Sequence, residues 1–167
     1  MKLPICLVCM KSGILCPSCQ EKFDRGEITP LDIEVARHFL EIEKSYPAIR
    51  DSIFFKAVDV GKMLVVLIKS EGRLYRPLWN KVAKKLSLKM GKTVRIVEKT
   101  ASIRQIAEQV LAPARVLGVN VVWLPDGSRE NYIRISQADV KRLAISIKQA
   151  EKVISEFTKE IIHITTS

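Results

Sequence analysis

Residues 77–97 read PLWNKVAKKLSLKMGKTVRIV, and the fold turns on this passage. Leu78, Val82, Ala83, Leu86 and Met90 recur every three or four positions, the spacing of one face of a helix. Lys81, Lys84, Lys85 and Lys89 fall largely on the other side, so the spacing predicts an amphipathic helix with a basic outer face. Gly91 supplies its C-terminal stop, and residues 93–97 read as a strand.

Upstream, Thr29 and Pro30 have the character of an N-cap and a first helical residue, with Asp32 three positions on as a near capping box. Leu31, Val35, Phe39, Ile42 and Tyr46 then keep helical spacing up to Pro47. Residues 53–58 and 63–68 are β-rich runs around Asp59-Val60-Gly61-Lys62, which predicts a hairpin. A short turn of helix is expected over 71–76. Residues 30–97 therefore spell helix, strand, strand, short helix, helix, strand.

Downstream the same order returns. Ile103, Ile106, Ala107, Val110 and Leu111 predict a helix ended by Ala112-Pro113; residues 116–124 and 132–135 form a hairpin around Pro125-Asp126-Gly127. Ser136 caps a helix with Asp139 three residues on, helical periodicity runs to about 160, and residues 161–165 close as a strand. Two αββααβ units follow, an α+β chain with its first unit over 27–100 and its second over 101–167. The repeat wants a break near 146–149. Val140, Leu143, Ile147, Ala150, Ile154, Phe157 and Ile161 keep a three-four alternation without glycine or proline, so a single long helix, even a coiled-coil stripe, is a fair reading too.

Ahead of both units, over 1–26, stand the chain's four cysteines, Cys6, Cys9, Cys16 and Cys19. Two Cys-x-x-Cys pairs separated by six residues can place four thiolates tetrahedrally around one structural Zn2+. Residues 10–15 suffice for a hairpin between the pairs, and the second pair opens a short helix, an order that is treble-clef-like. Paired disulfides would need a secretory leader, which the opening residues do not resemble. A redox pair would need a preceding βαβ strand.

The net charge is +10, and residues 69–99 alone carry +8. Lys69, Arg73, Arg76, Lys81, Lys84, Lys85, Lys89, Lys92, Arg95 and Lys99 make a local field that attracts polyphosphate and weakens with salt. Clustering argues for nucleic acid over a merely solvated face. The longest apolar run, 63–68, is far too short to span a bilayer, so a soluble cytoplasmic protein is expected.

Tandem αββααβ units resemble the paired type II KH domains of archaeal NusA-like proteins. Residues 86–97 are similar to the helix-to-strand passage of the first KH domain, Ala112-Pro113-Ala114-Arg115-Val116 to the junction, and Tyr132-Ile133-Arg134-Ile135 with residues 139–144 to the opening of the second. The resemblance covers roughly 50–166 and implies RNA binding in transcription elongation or termination, with RNA polymerase or the ribosome as further partners. KH domains touch phosphate backbone through a Gly-x-x-Gly loop whose glycines remove obstructing side chains. Counting back from Gly91 puts that loop on Pro77-Leu78-Trp79-Asn80, and in the second unit on Ser146-Ile147-Lys148-Gln149; neither holds a glycine. A rival alignment, Lys69-Ser70-Glu71-Gly72, still lacks the first one.

Two expectations follow. If RNA binds, side chains must hold it: Arg73, Arg76, Lys81, Lys84, Lys85, Lys89, Lys92 and Lys148 against phosphates, with Trp79 or Tyr75 stacking a base. Helical spacing favours the core for both aromatics. Otherwise the pair of units serves mainly as a protein-docking scaffold on the ribosome or polymerase. No nucleotide or metalloprotease motif is present, and His38 and His163 have no nucleophile motif beside them, so no enzymatic role is expected.

Overall fold

The computed structural model describes residues 1–167, and the chain divides into two compact units, Met1–Ile96 and Val97–Ser167. It is an α+β protein with two three-stranded sheets. No helix is long and apolar enough to cross a membrane.

The first unit opens with two short helices, α1 (Leu7–Ser12) and α2 (Pro17–Asp24), followed by α3 (Pro30–Ser45). Thr29 closes a full capping box with Asp32, as its spacing predicts. Asp32 has a second task, because its Oδ1 also accepts the Ala57 N–H at 2.8 Å and fastens the helix start to the sheet. Strands β1 (Ile53–Asp59) and β2 (Met63–Lys69) pair antiparallel, and the tight turn between them uses Gly61 at φ 90° with Asp59 accepting its N–H. β2 lies in the middle of the order β1-β2-β3 and is buried from Met63 to Ile68, the position that a continuous apolar run suits. α4 (Arg76–Met90) buries Trp79, Val82 and Leu86, ends at Gly91 in the left-handed region, and leads into β3 (Thr93–Glu98).

Residues of the cysteine segment belong to this same core. Ile5, Cys9, Met10, Cys19 and Ile28 cluster with Phe39, Phe54 and Leu64. The chain ahead of Cys6 also lies along β1: Lys2 accepts the Phe54 N–H and donates to the Ser52 carbonyl, both at 2.9 Å.

Three sequence expectations fail here, for local reasons. Residues 71–75 form no helix. Gly72 takes φ 68°, which interrupts helical geometry, and the helix begins only where Pro77, in its first turn, is pre-set for it. Pro77-Leu78-Trp79-Asn80 is consequently in the first turns of α4 and no loop; the loop is residues 70–75, which overlaps the rival alignment 69–72 at 70–72, Lys69 being the end of β2. Between the cysteine pairs there is no hairpin, because the first pair sits on α1, which Gly13 terminates at φ 75°.

In the second unit, α5 (Ile103–Leu111) is capped by Ser102, and Gln109 brackets the Glu98 backbone, accepting its N–H at 2.8 Å and donating to its carbonyl at 3.0 Å. β4 (Val116–Trp123) and β5 (Arg129–Ile135) are antiparallel, whereas β6 (Ile161–Thr166) runs parallel to β5. A parallel pair needs a crossover, and α6 (Ile147–Thr158) provides it. Ile106, Val110, Ile133, Ile154 and Phe157 fill the space beneath. β4 is an edge strand, and Val121, Val122 and Trp123 on it are exposed.

The single long helix over 140–161 does not form. Residues Gln137–Arg142 make a 3-10 turn, Leu143 is extended, and Ser146 starts α6 with a capping box to Gln149. The break falls where the repeat wants it, but Ser146-Ile147-Lys148-Gln149 is a cap and first helical turn, not an inter-helix loop. Both units thus share the order helix, hairpin, helix, strand.

Candidate metal centre and basic helix face

The four thiols converge because each Cys-x-x-Cys straddles a helix start. Cys6 is the N-cap of α1 and Cys9 lies in its first turn; Cys16 and Cys19 repeat that placement on α2. A helix N-terminus presents unsatisfied N–H groups, which favour negative charge beside them. The Cys16 N–H donates to Cys9 Sγ at 3.0 Å. All four sulfurs lie within 4.8 Å of one another. A tetrahedral ion with bonds of about 2.3 Å would hold its sulfurs ~3.8 Å apart, so the spacing fits.

Electrostatics separates the four. The Cys9 N–H holds the Cys6 thiol below its ordinary range. The Cys19 N–H, helped by the Cys9 and Cys19 side chains, brings Cys16 down to about 7. At Cys9 the Cys16 N–H pulls the other way, yet the Cys6 thiol, burial and the remaining sulfurs push it up to about 12. Four crowded thiols cannot all ionise without a cation among them, which is the condition a bound metal relieves. Cys9 and Cys19 are buried, Cys16 is half-buried and Cys6 exposed. Four sulfur donors occupy every position of a tetrahedron, so the donor set fits a structural metal ion.

The basic residues divide into groups. Lys81, Lys84 and Lys85 are exposed on the outer face of α4, outside the ion pairs of the unit, with Arg76 at the helix start and Arg73 in the loop before it. Lys89 donates to Glu41 at 2.6 Å and Lys92 to Asp59, so both are tied to the unit's own carboxylates. The Lys89 ammonium holds the Glu41 carboxyl below its usual range. Lys148 is exposed on α6 and belongs to the other unit.

The aromatics also separate. Trp79 is 4% exposed and is a core residue, unable to stack a base. Tyr75, against its expected core position, is 65% exposed, because it stands at the N-cap, outside the helical period. Leu88, which the sequence reading passed over, is 82% exposed among the lysines. Its flank by Ser87 and Lys89 was the available signal. His38 is half-buried on α3, and His163 stacks on Tyr132 with ring centroids 4.9 Å apart.

No family model matches the chain. No curated protein matches it. Among solved structures it is similar to the one described as "Crystal structure of APE1850", at 17% identity over 77% of this chain and 96% of that one, with a TM-score of 0.51. The likeness is one of fold.

Proposed function

We propose that this protein binds RNA as part of the transcription or translation machinery, through the outer face of α4. The observation that supports this reading is the contrast among its cations: Lys89 and Lys92 are engaged by Glu41 and Asp59, while Lys81, Lys84 and Lys85 point away from the core with no carboxylate partner. Three ammonium groups on one helix face suit successive phosphates. Exposed Tyr75 at the head of that helix can stack a base.

The two units are read as degenerate type II KH domains, and the resemblance to NusA-like proteins makes elongation or termination the leading context. The loop over 70–75 holds only Gly72, so backbone contact is replaced by Arg73, Arg76 and the lysines. Zinc is the metal that best suits four thiolates, and it acts here as a staple of the first unit.

Leu88 supports a second reading. A large apolar side chain in the middle of the basic face is more use to a protein than to phosphates, and an adaptor docked on a polymerase or ribosome would bury it. Reversing Lys81, Lys84 and Lys85 to Glu and titrating single-stranded and structured RNA separates the two. Lost affinity in a folded variant supports RNA; unchanged affinity leaves the docking scaffold.

A further inference from the structure

A groove of about 530 Å³ runs between α1 and α3, on residues that the RNA reading does not use. Leu7, Met10 and Leu40 contribute its apolar lining; Leu7 is 53% exposed, and Val8 and Ile14 on the same segment are 72% and 77% exposed. These three exposed apolar side chains lie close together in the chain, beside the groove's own apolar lining.

The rim is positive once its internal pairs are counted. Two carboxylates line the groove, but Glu43 faces Arg50 at 3.5 Å and Glu41 accepts from Lys89. Lys11, Arg37 and Lys44 line it too; Lys11 and Arg37 have no carboxylate partner in the unit, and Lys44 interacts with Glu41 at longer range only. Arg37 is placed at the end of α1, its guanidinium 3.8 Å from where a Cβ on Gly13 would sit. An apolar floor beneath unpaired cations is complementary to an acidic segment that also carries a large apolar side chain.

RNA suits this groove less well. The wall has no aromatic platform on which a base could stack. We infer that the groove between the cysteine segment and α3 docks an acidic protein segment, anchored by a Leu- or Phe-sized side chain against Leu7, Met10 and Leu40 and by carboxylates on Lys11, Arg37 and Lys44. This surface is separate from the exposed lysines of α4, so neither proposal depends on the other.

The test is selection from a displayed library of random peptides on the full, metal-replete chain. Enriched peptides carry Asp or Glu around one large apolar residue, and they bind Lys44→Glu and Arg37→Glu chains roughly tenfold more weakly while binding Lys84→Glu unchanged. Metal content and far-UV circular dichroism identify any variant that misfolds, and exposed Lys44 supplies the arm least tied to folding. Failure to enrich any peptide, enrichment without acidic residues, affinity unchanged by Lys44→Glu, or displacement of the peptides by oligouridine RNA from the groove itself would each overturn the inference.

Discussion

The Asp32 carboxylate joins a helix start to a strand that begins more than twenty residues later, accepting the Ala57 N–H at 2.8 Å while it holds the Thr29 N–H at 3.0 Å. Asp32 is fully buried. Removing it strips a cap and leaves a buried N–H unpaired, so Asp32→Ala should cost about 2–4 kcal/mol. Chemical denaturation measures this, and a loss below roughly 1 kcal/mol would show that water replaces the carboxylate.

Metal removal should loosen the whole first unit, because Cys9 and Cys19 are packed in the same core as Phe39 and Leu64. Purified protein should carry about one metal ion per chain, label slowly with thiol reagents, and lose cooperative melting on chelation. Elemental analysis and a melt with and without chelator check this. An unchanged melt would mean that the thiols pack without help.

RNA affinity should depend on the unpaired lysines and little on the paired ones. Reversing Lys81, Lys84 and Lys85 should reduce the slope of log affinity against log salt by roughly 2, from about 0.7 per phosphate contact. Lys89→Ala should alter affinity less and leave the melt nearly unchanged, since its pair with Glu41 is solvent-screened. Filter binding at several salt concentrations distinguishes the variants.

Aromatic substitutions should split stability from binding. Trp79→Ala opens a cavity under α4 and should cost about 3–5 kcal/mol, whereas Tyr75→Ala should leave the melt unchanged and weaken RNA. A Tyr75→Ala chain with wild-type affinity would remove stacking from the reading.

Acid should unfasten the second unit through Asp139. The Arg115 N–H, and then Arg142, hold its carboxyl below the usual range. A depressed folded pKa stabilises the fold above the unfolded value, about 4, and that contribution disappears as pH falls through the folded one. Asp139→Asn should therefore melt lower at neutral pH and show a flatter acid limb. Thermal melts from pH 7 to pH 2 decide it; parallel curves for the two proteins would count against the Asp139 linkage.

What could be read from the sequence was local. The α4 stripe, the Thr29 cap, the Gly61 turn and the cysteine spacing depend on neighbours within a few residues, and each formed where expected. The pairing of Lys89 with Glu41 spans 48 residues and depends on α3 meeting α4, which no window along the chain contains. The start of α4 at Arg76 falls within one residue of the Pro77 that marks it in the sequence, whereas the left-handed Gly72 is what excludes the short helix expected before it. Asp32 illustrates the same limit, legible as a cap and not as a bolt to Ala57, while Asp139, expected to cap with Ser136, instead accepts the Arg115 N–H.

The rim position of β4 has a practical outcome. Val121 and Val122 are exposed along that edge without a charge of their own, and the nearby cation, the Arg129 guanidinium 5.7 Å over the Trp123 ring, covers one end of it. Concentrated samples should scatter light through strand-to-strand polymers, and a Val121→Lys gatekeeper should keep them clear.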